Sequence, residues 1–356
     1  MHIGDLMLVT PVLTTLRANF PRAKITLLAD MKLRDLVEHN PNLDDCMFMD
    51  KKRDSNLFSL WRFIQHVQVR HFDLVINLHR NERASAVAAF SGAKRIVGYS
   101  KPFFSFSFNE VMPNRHFIKH QVEAHFDVLR DFVGIKKIVN NGLEMTLTDE
   151  MEKAAEEIFA ENFPEKSPVI ALNIGASWLT KRWPTDYFAR VADSLIAEGY
   201  HLAFMGGPTD IDLVNECRSQ MKNKDSEQLK IFTGQLSLGV LAGFLKRCAL
   251  FITTDSGPMH VGVAMNVPVV TMFGASPVPG FSPYDSKDIL LKTPDKCHPC
   301  RIHECPKKTE PLSCMRHITP EKVIDAAHTL LAETGGKPAC RLPRPKKNFQ
   351  CRVVEL

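Results

Sequence analysis

The segment 251–276 constrains the fold of this chain more than any other part. It reads as a buried strand, FITT, followed by Asp-Ser-Gly-Pro, a helix of small residues and a second apolar strand, PVVTMFG. Parallel strands need a crossover of this kind, so the pattern predicts a βαβ unit. Asp255, Ser256 and Gly257 lie where strand gives way to helix, and free backbone N–H groups there favour an anion such as a phosphate. An ordinary N-cap is the simpler interpretation, but a second glycine loop at 273–276 favours the phosphate site.

Length and composition favour a soluble protein of two domains. A chain of 356 residues suits two domains of about 150 residues each. No apolar run approaches the roughly 18 residues that a membrane span requires, and the start, MHIGDLMLVTPVL, lacks the features of a signal peptide. We therefore expect a cytoplasmic protein. A net charge of +5 fits an anionic substrate or membrane surface but is too small to indicate nucleic acid, which we do not expect as a partner.

Both halves of the chain alternate short apolar strands with helices. The first half has strands predicted at 23–29, 73–78 and 94–98, and the second begins afresh with a strand over 168–174. This alternation predicts an α/β fold with one doubly wound parallel sheet in each half. Ligands of such sheets bind outside the carboxyl ends of the strands, so a cleft between the two domains is the expected active site.

The predicted domains cover residues 1–150 and residues 165–335. A polar helix at 149–161 and the loop after it form the expected linker. Basic residues cluster at 341–347, and we expect residues 336–356 to be a basic, solvated and disordered tail.

Asp5 is the acid of interest in the first half. It is the sole acid in an otherwise apolar and small N-terminal segment, and it would lie in a loop at a helix N-terminus. The simpler role is to cap that helix. If its carboxylate faces the cleft, it can accept a proton from an attacking hydroxyl, which is general-base catalysis.

Two loops of the second half carry polar groups suited to a nucleotide. The loop 175–184 combines small residues, a hydroxyl and two cations, so Ser177, Thr180 and Lys181 can hydrogen-bond and neutralise a diphosphate. The alternative for the cations is a plain solvated surface. The loop GGPTD ends the next strand, and its Asp210 can accept from the hydroxyls of a ribose.

Four of the nine cysteines fall close together near the C-terminus of the second half. They are Cys297, Cys300, Cys305 and Cys314. The first pair has the two-residue gap of a zinc or iron–sulfur site, but no second such pair follows. Reduced thiols, a structural metal site and disulfides remain open, and a reducing cytoplasm disfavours the last. We expect this segment to lie outside the cleft and to act structurally, if at all.

The motifs occur together in one order. Gly-Asp near the start is followed by Lys-Arg-Trp-Pro, Gly-Gly-Pro-x-Asp, and Thr-Asp-Ser-Gly-Pro-x-His with a subsequent Pro-Val-Val-x-x-Phe-Gly. In this order they resemble glycosyltransferase family 9, the ADP-heptose:lipopolysaccharide heptosyltransferases. The similarity spans residues 4 to about 327. It implies a GT-B fold, in which two Rossmann-like domains face a cleft, the first binding the acceptor and the second the nucleotide sugar.

The resemblance implies an inverting transfer of heptose from ADP-heptose to the inner core of lipopolysaccharide, without a cofactor or metal. Asp5 would be the general base, and Lys181 would hold the donor phosphates. Asp210 would approach the ribose, the chain near Leu236 the adenine, and Asp255 the heptose. The enzyme would be cytoplasmic and would transiently contact the inner face of the membrane. The residues implied in donor binding are Ser177, Thr180, Lys181, Asp210, Leu236, Asp255, Ser256, Gly257 and Pro258.

Two other functions stay open, and one departure from the family pattern bears on Asp5. The chain can be a GT-B transferase of another nucleotide sugar, or a nucleotide-binding subunit that has lost catalysis. Family members usually carry an apolar strand before Gly-Asp, whereas this sequence begins at Met1-His-Ile-Gly-Asp5. We therefore expect an unfilled position in the first sheet, with a misassigned start codon or a truncation as the simplest cause.

Overall fold

Every strand pair in the structure is parallel, as the alternating pattern predicts. The strands belong to two units, residues 1–140 and residues 141–356. The structure is a computed structural model, and it describes residues 2–50, 52–54, 56–113, 118–165, 167–345 and 348–356.

Short helices and strands alternate through the first unit. Its elements are α1 (Ile3–Met7), α2 (Thr10–Asn19), β1 (Thr26–Asp30), β2 (Asp45–Met49), α3 (Leu57–Gln68), β3 (Leu74–Asn77), α4 (Glu82–Ala89), β4 (Arg95–Gly98), β5 (Glu110–Val111) and α5 (Gln121–Val128). The last helix continues into a π-helical turn, and 3₁₀ turns cover Met31–Leu36 and Pro102–Ser107. The strands form two separate sheets, one of β1 and β2 and one of β3, β4 and β5.

A gap separates the two sheets of the first unit. Among the described residues no strand pairs with the second edge of β1 or with the outer edge of β3. A largely apolar cavity of about 240 Å³ is lined by both of these strands, and Leu6 and Val87 contribute to its wall. Asp5 lines the same cavity. The gap therefore corresponds to the unfilled sheet position that the sequence suggested.

Strands and helices alternate through the second unit as well. Its elements are α6 (Asp149–Asn162), β6 (Val169–Asn173), α7 (Thr185–Ala197), β7 (His201–Met205), α8 (Ile211–Gln220), β8 (Leu229–Ile231), α9 (Leu238–Leu245), β9 (Leu250–Thr254), α10 (Gly257–Ala264), β10 (Val269–Met272), α11 (Val278–Phe281), β11 (Ile289–Lys292), α12 (Ser313–Arg316), α13 (Pro320–Thr334) and β12 (Arg352–Glu355). Further 3₁₀ turns cover Leu179–Lys181, Pro208–Asp210 and Ala339–Arg341.

The seven strands of this unit form one parallel sheet in the order β12-β11-β10-β9-β6-β7-β8. The chain builds outward from β6 to β8 on one side, returns to β9 on the other side of β6, and then builds outward to β12. The order therefore reverses between β6 and β9, which is where ligands of doubly wound sheets bind. Both strands are entirely buried, so their near-continuous apolar sequences fit a sheet covered on two faces. The Rossmann-like prediction is confirmed for this unit.

Two segments differ from the boundaries that the sequence suggested. The polar helix expected in the linker, now α6, packs onto α9 so closely that a Cβ at Gly243 would lie 2.8 Å from the Cβ of Ala155. Glu152 of α6 also pairs with Arg247 at 2.9 Å. An amphipathic helix with one small-residue face is stabilised by such packing, which a linker would lack.

The C-terminal segment is ordered where the sequence analysis expected a tail. Strand β12 pairs with the edge of β11, and Arg352 binds Glu333 of α13 through two hydrogen bonds of 2.7 and 3.0 Å. The open edge of β11 offers backbone partners to RVVE, and composition alone does not reveal them. Lys346 and Lys347 of the basic cluster lie outside the described residues. Over the part of the chain that the structure describes, no helix is long and apolar enough to cross a membrane.

Candidate active site

Asp5 lies within α1, in its first turn, rather than in the loop that the sequence suggested. Leu6, Met7 and Leu8 are fully buried and fix this short helix in the first unit. The Asp5 carboxylate accepts a hydrogen bond from the backbone N–H of His2 at 3.0 Å. Its Oδ2 also lies 3.3 Å from Nε2 of His79, which follows β3. Asp5 therefore caps the helix and at the same time forms a carboxylate–imidazole pair.

The environment of Asp5 keeps it ionised. Burial alone would raise its pKa, but the hydrogen bond and charge of His79, together with the His2 backbone, outweigh burial and lower the pKa to about 2. A second histidine, His125, is buried nearby, and burial lowers its pKa to about 4. His125 is therefore neutral at pH 7, and its Nδ1 lies 3.3 Å from the carbonyl oxygen of Leu8.

His79 was missed by the sequence analysis. The available signal was its position, since it stands two residues beyond the carboxyl end of the apolar strand β3. A histidine after a strand is too common for this signal to suffice. Its partner is 74 residues away along the chain, so only the tertiary structure shows the pair.

In the second unit, side chains at the carboxyl ends of β6 and β9 join two loops. The side-chain amide of Asn173 donates to Oγ of Ser256 at 3.0 Å and to Oγ1 of Thr253 at 3.2 Å. The Thr254 hydroxyl donates to the carbonyl oxygen of Gly175 at 2.7 Å. These bonds hold the loop after β6 against the Asp-Ser-Gly-Pro turn that begins α10. Asn173, which the sequence analysis did not single out, is the centre of this network.

Lys181 and Asp255, two of the predicted donor-binding residues, form an ion pair. The Lys181 ammonium lies 2.9 Å from Oδ2 of Asp255, and the two side chains are only 17% and 6% exposed. The ammonium also lies 4.9 Å from the centre of the Trp178 ring. Trp183, in the same loop, is buried and donates from its indole N–H to the carbonyl oxygen of Ile318 at 2.9 Å. The Lys-Arg-Trp-Pro motif thus anchors its loop through Trp183 and places a cation beside the start of α10.

Four other predicted residues lie in or beside the loops at the same strand ends, in different environments. Gly257 and Pro258 begin α10, so the free N–H groups of its first turn are directed toward the switch point. Ser177 is exposed in the loop after β6. Thr180 differs from expectation, because it is 2% exposed and its hydroxyl donates to the carbonyl oxygen of Ile302. That hydroxyl holds a neighbouring segment and does not point to a site for phosphate.

Asp210 and Leu236 follow the next two strands of the sheet. The Asp210 carboxylate accepts from the Gly207 N–H at 2.9 Å and lies so close to Gly175 that a Cβ there would meet it at 2.3 Å. Glycine at 175 therefore permits the approach of Asp210 to the loop after β6. Leu236 is half-buried and lines a different, open cavity of about 650 Å³ with Phe232 and residues of α6.

The cysteine-containing segment lies closer to these loops than the sequence suggested. The His303 ring stacks on the Trp178 ring with centroids 4.1 Å apart, and the N–H of Arg301 donates to the carbonyl oxygen of Ala275 at 2.9 Å. The segment thus contacts both the loop after β6 and the loop after β10. Sequence could not show this, because a loop without strand periodicity gives no sign of what it packs against.

The cysteines themselves are all free thiols in this structure. Cys297 is exposed, Cys314 is buried, and the two between them are half-buried. Across the described residues no group of three or more potential ligands is arranged to hold a metal ion. Burial raises the pKa of the Cys314 thiol to about 11.

The sequence matches the family model described as glycosyltransferase family 9 (heptosyltransferase) over residues 60–310, more than half of the chain. The chain belongs to glycosyltransferase family 9. It is therefore a glycosyltransferase by family, as the order of motifs predicted, and its two Rossmann-like units are those of the GT-B fold.

Relatives within glycosyltransferase family 9 match nearly the whole chain. Lipooligosaccharide heptosyltransferase 2 of Campylobacter jejuni is 27% identical over 331 residues, covering 92% of this chain and 95% of the relative. The solved glycosyltransferase family 9 structure from Veillonella parvula superposes with a TM-score of 0.85 at 35% identity, covering 94% and 95% of the two chains. Escherichia coli ADP-heptose lipopolysaccharide heptosyltransferase II has a TM-score of 0.76 at 20% identity, with 94% and 97% covered.

Replacing His79 should change the pH dependence of activity in this family 9 enzyme. In His79→Ala, burial of Asp5 remains while its hydrogen bond and the opposing charge are lost, so its pKa rises. Asp5, the base that the family resemblance implies, works only when ionised, so activity should then fall at a higher pH on acidification than in the wild type. The measurement is the profile of kcat/KM against pH from about 4 to 8. The exposed His66 provides the control variant, His66→Ala. Superimposable profiles for all three proteins would show that His79 does not act on Asp5.

Replacing Lys181 should weaken donor binding and stability together. Lys181→Ala removes a cation from the switch point and leaves the buried Asp255 without its partner. A charge-assisted hydrogen bond from the Lys181 ammonium to a donor phosphate would contribute about 1.5–3 kcal/mol to binding. The donor KM should therefore rise roughly tenfold or more. The control is Lys246→Ala, which breaks the pair with Glu152 at the opposite end of β9. That variant should lose Tm but keep its donor KM. Equal donor KM values in the two variants would contradict a role of Lys181 in donor binding.

Proposed function

We propose that this protein is an inverting glycosyltransferase that moves heptose from ADP-heptose to the inner core of lipopolysaccharide. The observation that carries the proposal is the switch point of the second unit, where Lys181 and the first turn of α10 converge. A cation beside a helix N-terminus at this place suits the diphosphate of a nucleotide sugar. Family membership and relatives named heptosyltransferases support the choice of heptose.

In the proposed division of labour the second unit binds the donor and the first unit the acceptor. Lys181 and the N–H groups of α10 hold the diphosphate, while Asp255 keeps the ammonium in place and orients the sugar. Asp210, fixed beside Gly175, takes the ribose, and the chain near Leu236 takes the adenine. Ser177, Ser256 and Pro258 border the diphosphate. Thr180 acts through the loop it anchors.

Asp5 is the proposed general base. Its carboxylate removes the proton of the acceptor hydroxyl as that oxygen attacks the anomeric carbon from the face opposite the diphosphate. The new C–O bond forms as the bond to ADP breaks, so the anomeric configuration inverts and ADP leaves with its charge stabilised by Lys181. A pKa of about 2 keeps Asp5 ionised but makes it a weak base. An acceptor that excludes water and displaces His79 would raise that pKa, because burial then acts unopposed.

A donor panel tests the proposed function. ADP-heptose, ADP-glucose and UDP-glucose are offered with a core oligosaccharide acceptor, and product and anomeric configuration are read by NMR. We expect turnover with ADP-heptose and an inverted product. Asp5→Asn should lower kcat by about 10²–10⁴-fold with little change in donor KM. The exposed Asp73 gives the control variant, Asp73→Asn, which should be near wild type. Turnover with UDP-glucose alone would contradict the heptosyl assignment and show that the enzyme transfers another sugar. ADP binding without any turnover would favour a nucleotide-binding subunit.

We also propose that the protein works at the inner face of the cytoplasmic membrane, where it touches the surface transiently. Phe103 and Phe106, in the 3₁₀ turn 102–107 of the first unit, are 79% and 71% exposed, and Lys101 is the N-cap of that turn. Exposed aromatic rings beside a cation suit the interface of an anionic bilayer.

Vesicle binding tests the membrane contact. The double variant Phe103→Ser/Phe106→Ser should bind vesicles containing anionic lipid about tenfold more weakly than the wild type, because two rings no longer enter the interface. Phe20→Ser changes an exposed phenylalanine elsewhere in the first unit and should bind as the wild type does. Equal vesicle binding of all three proteins in a co-sedimentation assay would show that Phe103 and Phe106 do not contact the membrane.

A further inference from the structure

The cysteine-containing segment, residues 297–314, supplies an aromatic side chain to the loop after β6. The ring of its His303 stacks on the ring of Trp178, with the centroids 4.1 Å and the planes 26° apart. Stacked rings at this separation attract one another beyond the area that they bury. Trp178 lies three residues before Lys181 in the same loop, yet the proposed reaction gives neither ring a role.

Backbone hydrogen bonds fix His303 in this position. The N–H of the buried Thr180 donates to the carbonyl oxygen of His303 at 3.4 Å, and the Thr180 hydroxyl donates to the carbonyl oxygen of Ile302. The N–H of Arg301 donates to the carbonyl oxygen of Ala275 at 2.9 Å. Three consecutive residues are thus tied to the loops after β6 and β10, so the His303 ring is held on Trp178 although it is exposed.

The Trp178 ring also contacts the Lys181 ammonium, which lies 4.9 Å from the centre of the ring. The same ammonium lies 2.9 Å from Oδ2 of Asp255. His303, Trp178, Lys181 and Asp255 therefore form a continuous series of contacts that ends at the start of α10. A lysine side chain is flexible, and fixing it costs conformational entropy. Ring and carboxylate together restrict the ammonium before a ligand arrives, so less entropy is lost when one binds.

We infer that His303 is a positioning residue for Lys181 and acts through Trp178. Its ring fixes the Trp178 ring, which in turn holds the ammonium where a diphosphate binds. This inference rests on the proposed function, since it takes Lys181 as the ligand of the donor diphosphate. The cysteine-containing segment then contributes to donor affinity through a side chain that lies 125 residues beyond its partner. The reacting atoms are not touched by either ring, so the chemical step is unaffected.

Matched histidine variants test this role. His303→Ala removes the stacked ring, His303→Phe keeps a ring that can stack, and His317→Ala removes another exposed histidine of the segment, whose ring faces Glu310 and Asp295. We expect the donor KM to rise about threefold in His303→Ala, because the Trp178 ring loses its aromatic partner. Its kcat and Tm should stay near the wild type, and the other two variants should keep the donor KM. An unchanged donor KM in His303→Ala, or an equal rise in His303→Phe, overturns the inference.

A double variant shows whether His303 acts through Lys181. In Lys181→Ala there is no ammonium to hold, so adding His303→Ala should lower the affinity for ADP no further. The affinities of the wild type, the two single variants and the double variant are measured by calorimetric titration with ADP. The same loss of about threefold in both backgrounds would show that His303 acts independently of Lys181 and overturns the inference.

Adenosine separates an effect on the diphosphate from a general disturbance of the site. It lacks the phosphates that Lys181 is proposed to hold, so wild type and His303→Ala should bind it equally. Equal fold losses for ADP and adenosine overturn the inference. If the wild type binds ADP but transfers no heptose, the proposed function falls and the ADP titrations decide the role of His303 alone. Heptose transfer with an ADP affinity that His303→Ala leaves unchanged overturns the inference and keeps the proposed function. A wild type that binds no ADP overturns both.

Discussion

The parallel order of the seven-stranded sheet is the constraint on which the candidate site of the second unit depends. Because every strand runs the same way, all the carboxyl ends meet at one edge, and the reversal between β6 and β9 opens a crevice there. Loops separated by about eighty residues are then joined by single side chains, as Asn173 is to Ser256. The Lys181–Asp255 pair follows from this arrangement, since Asp255 directly follows β9 and Lys181 lies in the loop after β6.

The first unit is organised differently, because its strands form two separate sheets. A carboxylate in a short helix is held between a backbone cap and His79, next to a cavity where β1 and β3 both lack a neighbour among the described residues. Burial and hydrogen bonding oppose one another at Asp5, and the hydrogen bonds prevail. The basicity of Asp5 is therefore adjustable by whatever fills the space around it.

Sequence reasoning succeeded where the chemistry is local. The strands at FITT and PVVTMFG and the small-residue helix between them are all in the structure, because hydrophobic period and cap residues determine them over a few positions. It did less well for β2, DCMFM, whose side chains are mostly half-buried and which lacks a clear alternation. It was wrong about β12, because an edge strand of four residues after a basic, proline-rich stretch has the composition of a tail.

The sequence by itself determined the family, the alternation of strands and helices, and which loops carry glycine, hydroxyl and charge. These properties reside in neighbouring residues, and a given order of motifs is rarely met by chance. Only the tertiary structure decided what each side chain meets. It paired Asp5 with His79, gave the Thr180 hydroxyl to Ile302, and placed the cysteine segment against Trp178. Those partners are 74 to 125 residues further along the chain. The crossing of loops at the sheet edge brings them together, and a sequence pattern does not encode that crossing.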